Sequence, residues 1–250
     1  MRKIENQKKL LYKQLALDYV TPFEELMRQR TIFQTAEPKD EMRFWAKSDG
    51  CIALLDGKMF VRTNCEKLTN KLQELYALEE NQWFMEEVNL VKLRKVLDDF
   101  GFEIAGVAPF FIPNTEENVS LGEEIQFFSP EEILQFKEDK RFVHSFSFDE
   151  AFPDKLGAAF IEQGEMLAVA GASEGGRFAW EVGVELLSEK AKGRGIASKL
   201  VRAMKNKTLA DYPENLLLYG TQFSHVKSMN VAIQAGFTIG FTEIRWTKKA

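Results

Sequence analysis

Cysteine and histidine are scarce in this 250-residue chain, with two of each. Cys51 and Cys65 are too few for a disulfide framework, and neither stands at a metal-ligand spacing. With only His144 and His225 beside them, no zinc site is expected. Long apolar runs are also missing. The longest, Ala105 to Ile112, is far short of the about 20 residues that cross a bilayer, and Pro109 interrupts it. The opening segment MRKIENQKKLLYKQLALDYV is basic but has no uninterrupted apolar core of signal-peptide length. Nor is there an excess of positive charge: the net charge is −5, which argues against a nucleic-acid partner. These absences predict a cytoplasmic protein with no metal, membrane or nucleic-acid partner.

Hydrophobic residues make up 45% of the chain and charged ones 28%, the balance of an ordinary globular protein. The length suits two modest domains. The tract PNTEENVSLGEE, rich in turn formers and acid, places the boundary near residue 120. Residues 1–120 then form an N-terminal α/β domain. Within it, residues 1 to about 48 read as helical, and Asp56-Gly57 marks a tight hairpin. Two helices follow, and then the strand FGFEIAGVAPFF, entered through Gly101.

Residues 121–250 open on SPEEILQF, a helix start with Ser129 as cap and Pro130 in the first turn. Three strand-like runs follow as an antiparallel meander: KLGAAFIE, MLAVAGAS and FAWEVGVELL. The third alternates most clearly. Phe178, Trp180, Val182, Val184 and Leu186 share one face, while Glu181 and Glu185 share the other with Gly183 between them. The two carboxylates are about 13 Å apart along the strand, too far to share a proton.

After this meander, SEKAKGRGIASKL puts Gly193 and Gly195 between lysines and a helical stripe of Ile196, Leu200, Val201 and Met204. Glycine admits a ligand to the backbone, and a helix start offers unpaired amides with partial positive charge, a corner suited to phosphate. A P-loop does not account for it. GASEGGRF has Arg177 and Phe178 where lysine and a hydroxyl belong, and it runs into a strand. A dinucleotide corner fits poorly, since Ser198 takes the place of the third glycine and too little chain follows.

KGRGIA, residues 192–197, resembles the Arg/Gln-x-x-Gly-x-Gly/Ala signature of the GCN5-related N-acetyltransferases, in the strand–loop–helix setting of that family. Ser228 to Phe237, S-x7-GF, resembles the family's later helix. The layout ending in AIQAGF looks closer to the zwittermicin-resistance subgroup. The resemblance covers about residues 127–250. It implies an α/β (α+β) fold: a mixed, mostly antiparallel sheet flanked by helices, preceded here by the smaller N-terminal domain.

The same resemblance implies acetyl-CoA as co-substrate. Its pyrophosphate would lie on the amides of Gly193, Arg194, Gly195, Ile196 and Ala197. Ser198 would add a hydroxyl, Lys192, Arg194 or Lys190 charge, and Ser228 a further contact. Leu187 and Ser188, at the strand end, would meet the pantetheine arm. Glu181, eleven residues before Lys192, has the spacing of the glutamate base in histone-type members, and Glu185 is the second candidate. Where many members carry a tyrosine acid this chain has Ala232, and His225 replaces the usual asparagine. The thiolate's proton would then come from His225, Tyr219, Ser228 or water.

The expectation is direct acetyl transfer to a small-molecule amine, the acidic balance favouring a cationic one. The alternative is a non-catalytic acyl-CoA-binding or sensory module on the same fold. Oligomeric state stays open, a homodimer included. The first half is read as a degenerate half-fold or an acceptor-site wall. KVLDDFGFEIAGVAPFF echoes NVAIQAGFTIGFTEIRW: helix, Gly-Phe, strand.

Overall fold

The structure, a computed structural model, describes residues 2–78, 81–114 and 123–249. Most of the expected linker lies outside the described residues. In chain order the elements are α1 (Arg2–Asp18), α2 (Phe23–Arg28), β1 (Thr31–Thr35), β2 (Gly50–Leu55) and β3 (Lys58–Thr63). Next come α3 (Glu66–Tyr76), α4 (Glu87–Asp99), β4 (Phe102–Pro113), β5 (Ile125–Phe128) and α5 (Pro130–Ile133). The rest are β6 (Asp154–Glu162), β7 (Glu165–Gly176), β8 (Ala179–Leu186), α6 (Ile196–Asp211), β9 (Leu216–Gly220), α7 (Val226–Gln234) and β10 (Phe237–Lys248). The class is mixed α/β, and most strand pairs are antiparallel.

The chain separates into two compact units, one of residues 1–11 and 111–238, the other of residues 12–110 and 239–250. This differs from a continuous split near 120. Such a split would part residues 242–246 of β10 from β2, with which they pair from Thr242↔Leu54 to Trp246↔Gly50.

In the unit of residues 12–110 and 239–250, β2 and β3 form a hairpin turned by Asp56 (φ 50°) and Gly57 (φ 71°). Leu68 and Leu72 of α3 and Leu93 and Leu97 of α4 bury against Ile52, Val61, Ile244 and Trp246. At about 1.5–3 kcal/mol for each fully buried aliphatic side chain, this packing is what holds the helices on the sheet. Residues 31–35, expected to be helical, form β1 parallel to β3. Thr31, Ile32 and Phe33 are β-branched or aromatic, and an available strand edge outweighs a weak helical period.

A buried ionic cluster closes this unit. Arg43, fully buried, donates Nε to Asp18 at 2.5 Å and Nη2 to both oxygens of Glu243 at 3.0 Å. Burial pushes the Glu243 carboxyl above the ordinary glutamate range, Arg43 pulls it back, and Asp18 adds to the rise. A carboxyl that titrates higher folded than unfolded stabilises the fold in its protonated form. Its contribution is full below the ordinary range and is lost as pH rises through the raised value. Melting curves between about pH 4 and pH 8 should therefore show a falling midpoint across that window, and Glu243→Gln should flatten it.

In the unit of residues 1–11 and 111–238, β5, β6, β7 and β8 form an antiparallel meander, and β9 joins β8 in parallel. The element order from α5 to β10 is the one expected. One face buries Ile196, Leu200, Val201 and Met204 of α6 against Leu156, Ala170, Trp180 and Val182. The opposite face carries Phe128, Phe142 and Phe146 over Ala159 and Val169.

The expected echo has a structural counterpart. α4 closes on Gly101 (φ 78°) before Phe102 of β4, and α7 closes on Gly236 (φ 85°) before Phe237 of β10. Lys249 N–H donates to the Gly101 carbonyl and Asn114 N–H to the Gly236 carbonyl, each at 2.9 Å.

Candidate functional site

The glycine corner forms as a left-handed approach to α6. Gly193 and Gly195 both have φ 72°, a region that costs other residues about 1–2 kcal/mol. Gly195 is the helix N-cap and provides no side-chain acceptor, so the amides of Ile196, Ala197 and Ser198 have no capping group. A Cβ placed on either glycine would meet nothing within 4 Å. The corner thus combines bare backbone, uncapped amides and open space, at the positive end of a 16-residue helix.

Its cations are held on carboxylates. Arg194 forks onto Glu162 at 2.7 and 3.0 Å, Lys190 meets Glu165 at 2.5 Å and Lys192 meets Glu189 at 2.5 Å. Arg194 and Lys190 hold the Glu162 and Glu165 carboxyls below the ordinary range through their hydrogen bonds. A polyanion arriving here would compete with acids for these cations.

Other sequence candidates are already engaged. Ser198 is buried, and its hydroxyl donates to Gln234 of α7 at 2.9 Å, tying the two helices together. Leu187 and Ser188 donate their amides to the Leu167 carbonyl at 2.8 and 3.2 Å, so both N–H groups are spent on β7. Ser188 also caps the short turn Glu189–Ala191 and bonds Glu165 at 3.0 Å.

The parallel ladder between β8 and β9 covers only Ala179↔Leu216, Trp180↔Leu217 and Glu181↔Leu218. Glu181 therefore stands at the last paired position before β8 continues along β7 alone. Tyr219 is the next residue of β9 and belongs to the opposite face, packed with Phe111 and Phe237. Its phenol lies 2.8 Å from the Ser228 hydroxyl, and burial raises it above the ordinary tyrosine range while that bond pulls it down. His225 is exposed at the start of α7, and its side chain makes no capping bond. Ala232 is fully buried in the core. Tyr219 and Ser228 thus meet on one face of the sheet, Glu181 lies on the other, and His225 is at the surface.

Glu185 is half-buried, and its carboxylate is already engaged by backbone and a hydroxyl. Its carboxylate accepts the amides of Val143, His144 (2.6 Å) and Ser145 (3.4 Å) and the Ser145 hydroxyl (2.5 Å). Strand alternation does not reveal this loop, but the sequence carries a signal for it. Gly157, Gly171 and Gly183 sit mid-strand, where glycine marks a close backbone approach.

Among the described residues no group of three or more His, Cys, Asp or Glu is placed to hold a metal ion, and no helix is long and apolar enough to cross a membrane. No protein-family model matches the chain, nor does any curated protein. Solved structures similar in shape include a GNAT-family acetyltransferase from Colwellia psychrerythraea, at 15% identity and TM-score 0.45, over 81% of this chain and 82% of that one. A GCN5-related N-acetyltransferase-like protein from Streptococcus suis matches at 10% identity and TM-score 0.42, over 97% and 99%. A GNAT-family acetyltransferase from Novosphingobium aromaticivorans matches at 16% identity and TM-score 0.43, over 60% and 69%. The likeness is partial in shape and low in sequence.

Proposed function

We propose that the chain is an acetyl-CoA-dependent N-acetyltransferase of the GCN5-related type, acting on a small amine by direct transfer. The observation that carries this reading is the uncapped α6 amino terminus behind two left-handed glycines with open space before them. The amides of Ile196 and Ala197 would hold the pyrophosphate, and Lys190, Lys192 and Arg194 would exchange their carboxylates for phosphate oxygens.

Glu181 of β8 is the candidate base, and Tyr219 of β9, hydrogen-bonded to Ser228, is the candidate acid. Glu181 would take the proton that the amine loses as its nitrogen bonds the acyl carbon. Tyr219, relayed by Ser228, would give one to the thiolate as the carbon–sulfur bond breaks. Both proton movements use groups the chain supplies. A non-catalytic acyl-CoA-binding module is the second reading, favoured by Ala232 buried where the family's tyrosine stands.

Calorimetric titration with acetyl-CoA, with NAD and ATP as controls, tests the site. Saturable binding of acetyl-CoA alone is expected. Among small amines assayed with it, Glu181→Gln should lower turnover about 100-fold, with acetyl-CoA affinity within about twofold of the parent. Binding without turnover of any amine would leave the module reading, and binding of none would remove both.

A further inference from the structure

Gly157, Gly171 and Gly183 are in register across three strands, Gly157↔Gly171 between β6 and β7 and Gly171↔Gly183 between β7 and β8. They make a row of bare backbone across the sheet, and His144–Phe146 lies on it. A Cβ on Gly183 would fall 1.7 Å from the His144 carbonyl oxygen, and one on Gly171 would fall 2.0 Å from that of Ser145. The Phe146 ring covers both Gly171 and Gly157. Backbone contacts this close admit no side chain at Gly171 or Gly183, and a Cβ on Gly157 would press on the Phe146 ring at 3.1 Å, so the row seats this segment.

The seat is fastened at both ends. At one end Glu185 takes the Val143, His144 and Ser145 amides and the Ser145 hydroxyl. At the other, Asp154 takes the amides of Ser147 (2.9 Å) and Phe148 (3.0 Å), and the Ser173 hydroxyl at 2.6 Å. Phe148 is held at φ 50°, a conformation a bulky side chain adopts only when its surroundings impose it. Phe136, Phe142, Phe146 and Phe148 then form a connected aromatic cluster on the segment and its approach.

We infer that Glu185 is a positioning residue that latches His144–Phe146 onto the glycine row, and that the latched segment is the wall limiting the acceptor site to small amines. The inference rests on the acetyltransferase reading and assigns its substrate class. Glu181 and Glu185 share a strand face, and the chain's own backbone already lies across the position between them. An extended polypeptide cannot lie along that stretch of β8, whereas Glu181, two residues beyond Gly183, is partly exposed. On this proposal a short amine approaches Glu181 past the segment, and a lysine within a peptide, flanked by backbone on both sides, does not.

The test uses the intact protein with two readouts. The first is hydrogen exchange of the Val143, His144 and Ser145 amides in the parent, in Glu185→Ala and in Ser145→Ala, which removes only a hydroxyl should the larger change impair folding. Exchange should quicken about tenfold or more in Glu185→Ala and less in Ser145→Ala. The second is thiol release from acetyl-CoA with small amines (spermidine, tyramine, an aminoglycoside) and with a lysine-containing peptide. The parent should acetylate at least one small amine and not the peptide. Glu185→Ala should raise KM for the small amine several-fold more than it lowers kcat, and should gain the peptide.

Unchanged exchange in both variants would overturn the latch. Peptide turnover by the parent at the small-amine rate would overturn the wall. Faster exchange with no turnover of any amine would keep the latch and remove the wall together with the transferase reading.

Discussion

Gly195→Asp should raise the Kd for acetyl-CoA at least about 100-fold while leaving the protein folded. The two effects separate because of what surrounds the position. A Cβ at residue 195 would meet nothing within 4 Å, so the side chain projects into the space before α6 and does not displace the core. Its carboxylate lies near the amides at the start of the helix, which offsets part of the about 1–2 kcal/mol cost of a left-handed non-glycine residue. Those are the amides proposed for the pyrophosphate, now fronted by like charge. Losing two or three such hydrogen bonds at about 1.4 kcal/mol per tenfold accounts for the size of the effect. Titration of parent and variant measures it, and a thermal midpoint within about 3 °C of the parent confirms the fold. Unaltered affinity in a folded variant would move the phosphate site away from this corner.

Arg43→Met should lower the thermal midpoint by about 10 °C. Arg43 has no exposed surface, and neither does Asp18, while Glu243 is 2% exposed. Removing the guanidinium leaves two buried carboxylates facing one another, a loss of about 3–5 kcal/mol for breaking a buried pair. In a chain of this size each kcal/mol moves the midpoint by about 2–4 °C. Arg43 also lies 4.7 Å from the Phe241 ring centroid and 5.1 Å from that of Phe110, and methionine keeps that apolar contact. The loss should shrink below the ordinary glutamate range, where Glu243 is protonated and no longer a stranded charge. Adding Asp18→Asn and Glu243→Gln to Arg43→Met should recover part of it by removing the stranded charges. Calorimetry of the three proteins decides; an Arg43→Met midpoint within about 2 °C of the parent would show that the cluster adds nothing to stability.

Local chemistry makes much of the second half legible. Ser129 caps the helix that SPEEILQF announces, joined by Glu132 in a capping box, and the glycines of KGRGIAS form the bare-backbone corner, both left-handed. The Gly-Phe steps at 101 and 236 end helices and start strands, since both signals lie within a few residues. The strand at 31–35 is not legible, because its partner β3 lies more than 20 residues downstream and pairing decides its state. Glu185 reads in the sequence as a solvated or catalytic carboxylate because strand alternation states only which face it shares, not what covers that face.

From the sequence alone came the scarcity of metal ligands, the element order from residue 130 onward, the glycine corner and the two carboxylates on β8. These depend on composition and on contacts within one or two turns of chain, where residue type dictates geometry. Only the tertiary structure decided that Glu185 is spent on Val143, His144 and Ser145, that Ser198 serves Gln234, that Tyr219 meets Ser228, and that Arg43 joins residues 18 and 243. Each joins residues 9 to 200 positions apart, and whether such groups meet depends on which surfaces pack, which no local pattern encodes.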